Sequence, residues 1–252
     1  MSIHLLPLRG IPALRPGDDL PALLAAALEE SRYGLRADDI VVVCQKVVSK
    51  AEGRIVSLAD VEPSPLALEW ARGTDKDPRL VELILRESRR IVRMVGGNLI
   101  VETKGGFVCA NAGIDQSNAV SDGSVTLLPL DCDRSAAQIA LGLAKILGIT
   151  PGVVVTDTFG RPWREGQLEF ALGVFGFEPV IDLRGSRDLA GRELGVTQIA
   201  IADEIAAAAG LLMGKSAAVP AVIVRGTGIA LDPTRTGGGQ LLLRASENDL
   251  FR

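Results

Sequence analysis

Five consecutive apolar residues, Ile40-Val41-Val42-Val43-Cys44, follow Asp38-Asp39 without a polar interruption. A strand with one wet face alternates polar and apolar side chains. An unbroken run this short suits a strand buried on both faces. Such a strand needs a chain long enough to enclose it. The 252 residues, with 47% in the AVILMFWYC class and 23% charged, meet that need with a globular composition.

Around this run the elements mix without a regular period. Ile3–Leu8 reads as a strand ended by Arg9-Gly10 and Pro12. The turn Arg15–Asp19 leads into a helix, with Asp19 as N-cap and an apolar stripe of Leu20, Leu23, Leu24, Ala27 and Leu28. Pro63 to Arg90 is helical in character, and Pro78 opens a second helix. Ile91–Val95, Asn98–Glu102 and Phe107–Ala110 form a meander that turns at Gly96-Gly97 and at Lys104-Gly105-Gly106. Val125–Leu130 reads as a strand and Asp133–Leu147 as a helix capped by Gly148. Val153–Val155 is a strand that runs into a polar loop, and Val180–Leu183 is a strand before the Gly-rich segment Arg184–Gly195. Ile201–Met213 is an Ala-rich helix, Ala221–Val224 a strand, and Gly226 begins a Gly/Thr-rich tail. No repeat, linker or low-complexity tract divides the chain. The expected class is α+β, with residues 1–252 as one domain or as two interwoven subdomains.

Composition removes whole classes of chemistry. A net charge of −4 argues against a sequence-independent grip on nucleic acid. Cys44, Cys109 and Cys132 are widely spaced with no CxxC, which suits a reducing compartment and offers neither a disulfide framework nor a thiolate zinc site. His4 is the only histidine and no partner is readable beside it, which argues against a His-based triad and a multi-His metal site. Any metal must be held by oxygen, which points to Mg²⁺ or Mn²⁺. The apolar run in MSIHLLPLRG is too short for a signal peptide, and no run approaches a membrane span. A soluble, cytoplasmic protein without a membrane partner is expected.

The densest polar cluster is Thr156-Asp157-Thr158-Phe159-Gly160-Arg161-Pro162-Trp163-Arg164-Glu165-Gly166-Gln167. An Asp just after an apolar strand is fixed by the sheet yet reaches a cleft, a good mounting for a hard cation. Thr158 could add an oxygen ligand, and Arg161 and Arg164 could face phosphate or carboxylate bidentately. The same residues would also serve as a turn with a capping Asp and two surface arginines. Asp115, in Asn111–Asn118, gains meaning only if it converges with Asp157 on one cation; otherwise this is an ordinary loop. Lys46 and Lys50 follow the buried strand directly, placed to neutralise a polyphosphate or simply to solvate a strand exit. No GxxxxGK[ST] or GxGxxG motif is present, and Met213-Gly214-Lys215 reads as a helix end with a glycine cap. Together these segments suggest an enzyme that uses a nucleoside triphosphate and a metal.

LPLRGIPALRPGDDL, CQKVVSKAEGR, GIDQSN, TDTFGRPWREGQ, IADEIAAAAGLLMGK and AVIVRG occur in that order between about Leu5 and Arg225. This array resembles the coenzyme F420-0:L-glutamate ligase family, and the chain's end shortly after it resembles the stand-alone form. The resemblance implies an unusual intertwined mixed-sheet fold and a homodimer. It also implies GTP-dependent, GDP-forming amide ligation of L-glutamate to the carboxylate of coenzyme F420-0 through an acyl phosphate, with Mg²⁺ or Mn²⁺ and K⁺ as activator. Further glutamates would be γ-linked. By position, Asp115 and Asp157 match the family's metal carboxylates and Thr158 its second-metal ligand; both Asp, with Arg161 and Arg164, are the catalytic candidates. Ile11, Pro12, Ala13 and Leu14 match the N-terminal nucleotide loop, and Gln45, Lys46 and Lys50 the next nucleotide segment. Asn118 matches a nucleotide contact, and Met213, Gly214, Lys215, Ser216, Ala217, Ala218, Val219 and Pro220 the last nucleotide loop. Gln45 stands where some relatives carry Ser. Lys215 stands where some carry a polar residue near a metal, and a cation there would repel a second metal. A non-catalytic nucleotide- or deazaflavin-binding protein on the same scaffold is the alternative.

Overall fold

A computed structural model describes residues 2–116, 123–214 and 217–249 of the chain. Strand β1 (His4–Leu8) is followed by helix α1 (Leu20–Ser31), whose first turn is capped by the Asp19 carboxylate accepting the Ala22 N–H at 3.0 Å. Strand β2 (Ile40–Cys44) passes directly into α2 (Gln45–Ala51). Next come β3 (Ile55–Ser57), α3 (Pro65–Ala71), α4 (Pro78–Arg86), and the meander β4 (Ser88–Val95), β5 (Asn98–Thr103) and β6 (Val108–Ala110). The chain continues through β7 (Ser124–Thr126), α5 (Cys132–Leu147), β8 (Gly152–Arg161) and β9 (Arg164–Phe175). It closes with β10 (Ile181–Asp182), β11 (Gln198–Ile199), α6 (Ile201–Met213) and β12 (Ala221–Arg225).

The main sheet has the order β1-β12-β2-β8-β9. It is mixed: only β2 and β8 run parallel, and the other neighbours are antiparallel. Ile40, Val41, Val42 and Val43 are all 0% exposed, as the unbroken apolar run requires. Their alternation sends Val41 and Val43, with Val153 and Val155, into a core made with α1 and α5. Ile40 and Val42, with Val154, enter a second core against α6. Each such valine removed from water contributes roughly 1.5–3 kcal/mol. The α5 face is pressed close: a Cβ on Gly173 would lie 2.0 Å from the Cys132 carbonyl oxygen. A smaller body beside this sheet packs α4, the meander and the β3–β7 pair around Leu80, Ile84, Leu99 and Val101.

Asp39, at the entry of β2, grips Arg225, at the end of β12, with two hydrogen bonds of 2.7 Å; both residues are buried. Arg225 also donates to the Gly34 carbonyl at 2.8 Å. The two strand ends are thereby clamped.

Several segments differ from the sequence expectation. Thr156–Gln167 is not a loop but a hairpin, in which β8 and β9 stay paired to Arg161↔Arg164 and only Pro162-Trp163 turn. Gln45–Lys50 is helical rather than a strand exit. The strand expected over Val125–Leu130 stops at Thr126, and that over Val180–Leu183 shrinks to Ile181–Asp182. The helical stretch ends at Arg86, because Ser88–Arg90 are drawn into pairing with β5. No helix among the described residues is long and apolar enough to cross a membrane.

Candidate active site

Because β2 and β8 are parallel, with Cys44 paired to Thr156, their carboxyl ends open on the same side of the sheet. Open sheets of this kind offer a crevice beyond such strand ends. Here Lys46 and Lys50 emerge on α2 beside Asp157 and Thr158 on β8. Asp157 and Thr158 leave the strand on opposite sides, as neighbours in a strand must.

On one side, Asp157 lies near Lys46 and Asp115. The Lys46 Nζ is 2.5 Å from an Asp115 oxygen. Asp115 itself is fixed by a reciprocal backbone pair with Thr126, both bonds 2.9 Å. It follows a tight turn in which Asn111, Ala112 and Gly113 all have positive φ. Asp157 is hemmed in by protein, and this burial pushes its carboxyl up to about 7; the charges of Glu169 and Asp115 add to the rise, while the Thr158 N–H and Lys46 oppose it.

On the other side, Thr158 donates its hydroxyl to Glu169 at 2.7 Å, and Thr156 donates to the same carboxylate at 2.8 Å. Glu169 sits opposite Thr158 in the β8–β9 register. It is a polar participant that the motif reading did not reach. The alternation Gln167-Leu168-Glu169-Phe170 was the available signal, since it marks a strand with one wet face.

Lys46, Asp157, Thr158 and Glu169 open on a cavity of about 760 Å³, while Asp115 and Thr156 lie off its wall. Its wall brings together Ile11, Pro12, Ala13 and Leu14 with Lys46, Lys50, Asp157, Thr158, Gln167 and Glu169. The end of α6 and the chain after it supply Met213, Gly214, Ala218, Val219 and Pro220. Three segments expected to contact the nucleotide thus line one space with the β8 residues expected to hold metal. Ala217 lies off the wall and donates its N–H to the Gly214 carbonyl at 2.8 Å. Asn118, Lys215 and Ser216 fall outside the described residues.

Three expected participants sit elsewhere. Gln45 is 0% exposed and faces the interior, where its Oε1 accepts the Ser49 hydroxyl at 2.7 Å and its Nε2 has no partner. Arg161 and Arg164 face each other at the closed end of the hairpin, outside the cavity wall. Arg161 is four residues beyond Asp157, about 13 Å along an extended strand.

The donor chemistry at Asp157 and Asp115 fits a hard cation: two carboxylates, one of them held near neutrality by its surroundings, with an ammonium already balancing them. No group of three or more His, Cys, Asp or Glu forms a ready cage among the described residues. Water or phosphate oxygens would have to complete the shell, as Mg²⁺ prefers. The thiols take no part as thiolates, since burial pushes Cys44 up to about 11 and Cys109 up to about 12.

The sequence profile of the F420-0:Gamma-glutamyl ligase family matches residues 10–226. The chain is 48% identical to the coenzyme F420:L-glutamate ligase of Methanothermobacter thermautotrophicus, over 100% of both chains. It is 46% identical to the protein of that name from Methanopyrus kandleri, over 95% of this chain and 93% of the relative. The Methanocaldococcus jannaschii protein of that name is 40% identical over 88% of each chain.

Proposed function

This chain belongs to the F420-0:gamma-glutamyl ligase family, and from that premise we propose that it joins L-glutamate to the carboxylate of coenzyme F420-0 in a GTP-dependent, GDP-forming reaction. The observation that carries this reading is the cavity in which two lysines, Asp157 and the loops at Ile11–Leu14 and Ala218–Pro220 converge. The nucleotide lies there, with Lys46 and Lys50 neutralising its phosphates.

The reaction is balanced in two steps. A carboxylate oxygen of the acceptor attacks the γ-phosphorus, the bond to the β-phosphate oxygen breaks, and GDP leaves with an acyl phosphate formed. The glutamate amine then attacks the acyl carbon, phosphate leaves, and the amine's proton is released. Phosphoryl transfer of this kind asks for charge neutralisation and alignment, not for a covalent nucleophile. That suits a site whose thiols are protonated and which contains no histidine.

Asp115 and Asp157 would hold Mg²⁺ or Mn²⁺, which when bound neutralises charge on the transferring phosphoryl group. Thr158, oriented by Glu169, is placed for a second cation on the other side of β8, and K⁺ is a further activator in this reading. The chain works as a homodimer with an interwoven arrangement of its two bodies. In support, β4 and β6 expose Ile91, Met94, Val95 and Val108, apolar surface that a second copy would cover.

Incubation with F420-0, glutamate, GTP and Mn²⁺ tests the reading. A glutamate mass increment on the acceptor with stoichiometric GDP supports it. GDP without amide leaves only a GTPase, and neither product from folded protein would sink the proposal.

A further inference from the structure

A second cavity, of about 810 Å³, lies apart from the nucleotide cavity. Three segments build it: the Lys104-Gly105-Gly106 turn with Phe107, the Leu128–Arg134 entry into α5, and residues 236–246 of the C-terminal segment. Its floor is apolar. Phe107, Leu128, Cys132 and Leu243 line it and belong to one cluster with Leu172 and Phe159. Phe159 is two residues from Asp157 on β8, so their side chains leave the strand on the same side, about 7 Å apart. The floor of this cavity therefore abuts the flank of the sheet that carries Asp157. The charge of Asp157 also reaches the Cys132 thiol on the cavity wall.

The cavity is held in shape before any ligand arrives. The Asp133 carboxylate accepts the N–H groups of Val174 and Gly239, each at 2.7 Å, which fastens the C-terminal segment to β9 and α5. Gln240 donates its side-chain amide to the Gly105 carbonyl at 3.2 Å, closing the segment onto the turn. Gly106 has φ +90° and a Cβ there would lie 2.8 Å from Leu243, so the turn fits against the floor only as glycine.

The rim is cationic once existing pairs are discounted. Glu87 is taken by Arg54 at 2.6 Å and Glu102 by Arg90 at 2.8 Å, while Asp131 caps α5. Among the described residues Arg134 and Arg244 make no ion pair and both are exposed; Lys104, also exposed, stands 3.9 Å from Glu87, which Arg54 holds more closely. An apolar floor under a cationic rim fits a flat ring system carrying negative charge. Pockets of roughly 300–1,000 Å³ take one ligand of drug size. A nucleotide in the cavity of about 760 Å³ thus leaves the bulky acceptor to be seated elsewhere.

We infer that the second cavity seats the carboxylate-bearing acceptor, its ring on the Phe107–Leu243 floor and its anionic arm along Arg134 and Lys104 toward Asp157. This inference rests on the ligase reading above. F420-0 binding, followed by the intrinsic fluorescence of its deazaflavin ring with GDP present, tests it in wild type, Arg134→Glu and Lys104→Glu. Both side chains are exposed, and thermal midpoints close to that of wild type would establish that the variants keep the fold. Charge reversal should raise the acceptor Kd about tenfold or more, while the GDP Kd moves less than about twofold. An acceptor Kd within about twofold of wild type in both variants, with wild type still forming product, overturns the assignment and leaves the ligase reading intact. Equal weakening of acceptor and GDP also overturns it. If wild-type protein forms no product and binds no F420-0, the ligase reading falls and the inference with it.

Discussion

At the scale of single residues, the site is organised by what each side chain faces. Burial is the chief cause that pushes the carboxyl of Asp157, on the cavity wall, up to about 7. Asp157→Asn keeps the shape and removes the charge, so kcat/KM should fall by about two to four orders of magnitude. Near-normal turnover across a Mn²⁺ titration would refute its role. Lys50, on the cavity wall, should act on ground-state binding: Lys50→Ala is expected to raise the GTP KM about tenfold with kcat little changed. An unchanged GTP KM counts against it. Asp203 gives a titration separate from the site. Burial raises its carboxyl above the ordinary range, and it accepts the Ala171 N–H at 2.9 Å. The native state therefore binds this proton more tightly than the unfolded chain. The stability it contributes is present below about pH 4 and is lost as pH rises through the native value. Asp203→Asn keeps an acceptor and cannot ionise, so the variant should gain on wild type as pH rises from about 4 toward neutrality. Denaturation midpoints at the two ends of that range would show the gain; a constant difference would contradict it.

At the scale of elements, the clamp between β2 and β12 is the clearest stability device. Removing one partner of the buried Asp39–Arg225 pair strands the other charge, so Arg225→Ala should cost about 3–5 kcal/mol, read as a shifted urea midpoint. Asp39→Leu combined with Arg225→Met should recover most of the loss; no recovery would mean that the clamp acts through the Gly34 contact instead. Elements also show what could be read in the sequence. The apolar strands β2 and β12, helix α1 with its Asp19 cap, and α6 were legible because burial on both faces, a capping carboxylate or a long Ala-rich face writes itself into local pattern. Strand β9 was not, because its first residues, Arg164–Gln167, are polar and exposed and follow Pro162-Trp163, so they read as loop. Helix α2 spans seven residues, too few to show a period. The approach of Asp115 to Lys46 and Asp157 depends on pairing with Thr126, a non-local contact with no local signature. The resemblance to a known family, not spacing, pointed to that approach. The inward turn of Gln45 was hidden for a similar reason, since it depends on which face α2 presents to the core.

At the scale of the whole molecule, the main sheet joins the two ends of the sequence. His4 pairs with Arg225, and Val41 with Val153; three of the sheet's four pairings join residues more than a hundred positions apart, and only β8–β9 is local. Topologies dominated by such contacts fold slowly. During synthesis the first strand emerges long before its only partner, β12. Until residues 221–225 leave the ribosome, β2 presents an unpaired edge of four fully buried-type aliphatic residues, Ile40–Val43, to whatever lies nearby. Ribosome-bound chains arrested before Ala221 should therefore be captured by chaperones and degraded readily by proteases. Chains arrested with β12 fully emerged should lose both liabilities together. The last strand of the sheet is thus also the moment at which the nascent protein stops being a hazard to its neighbours.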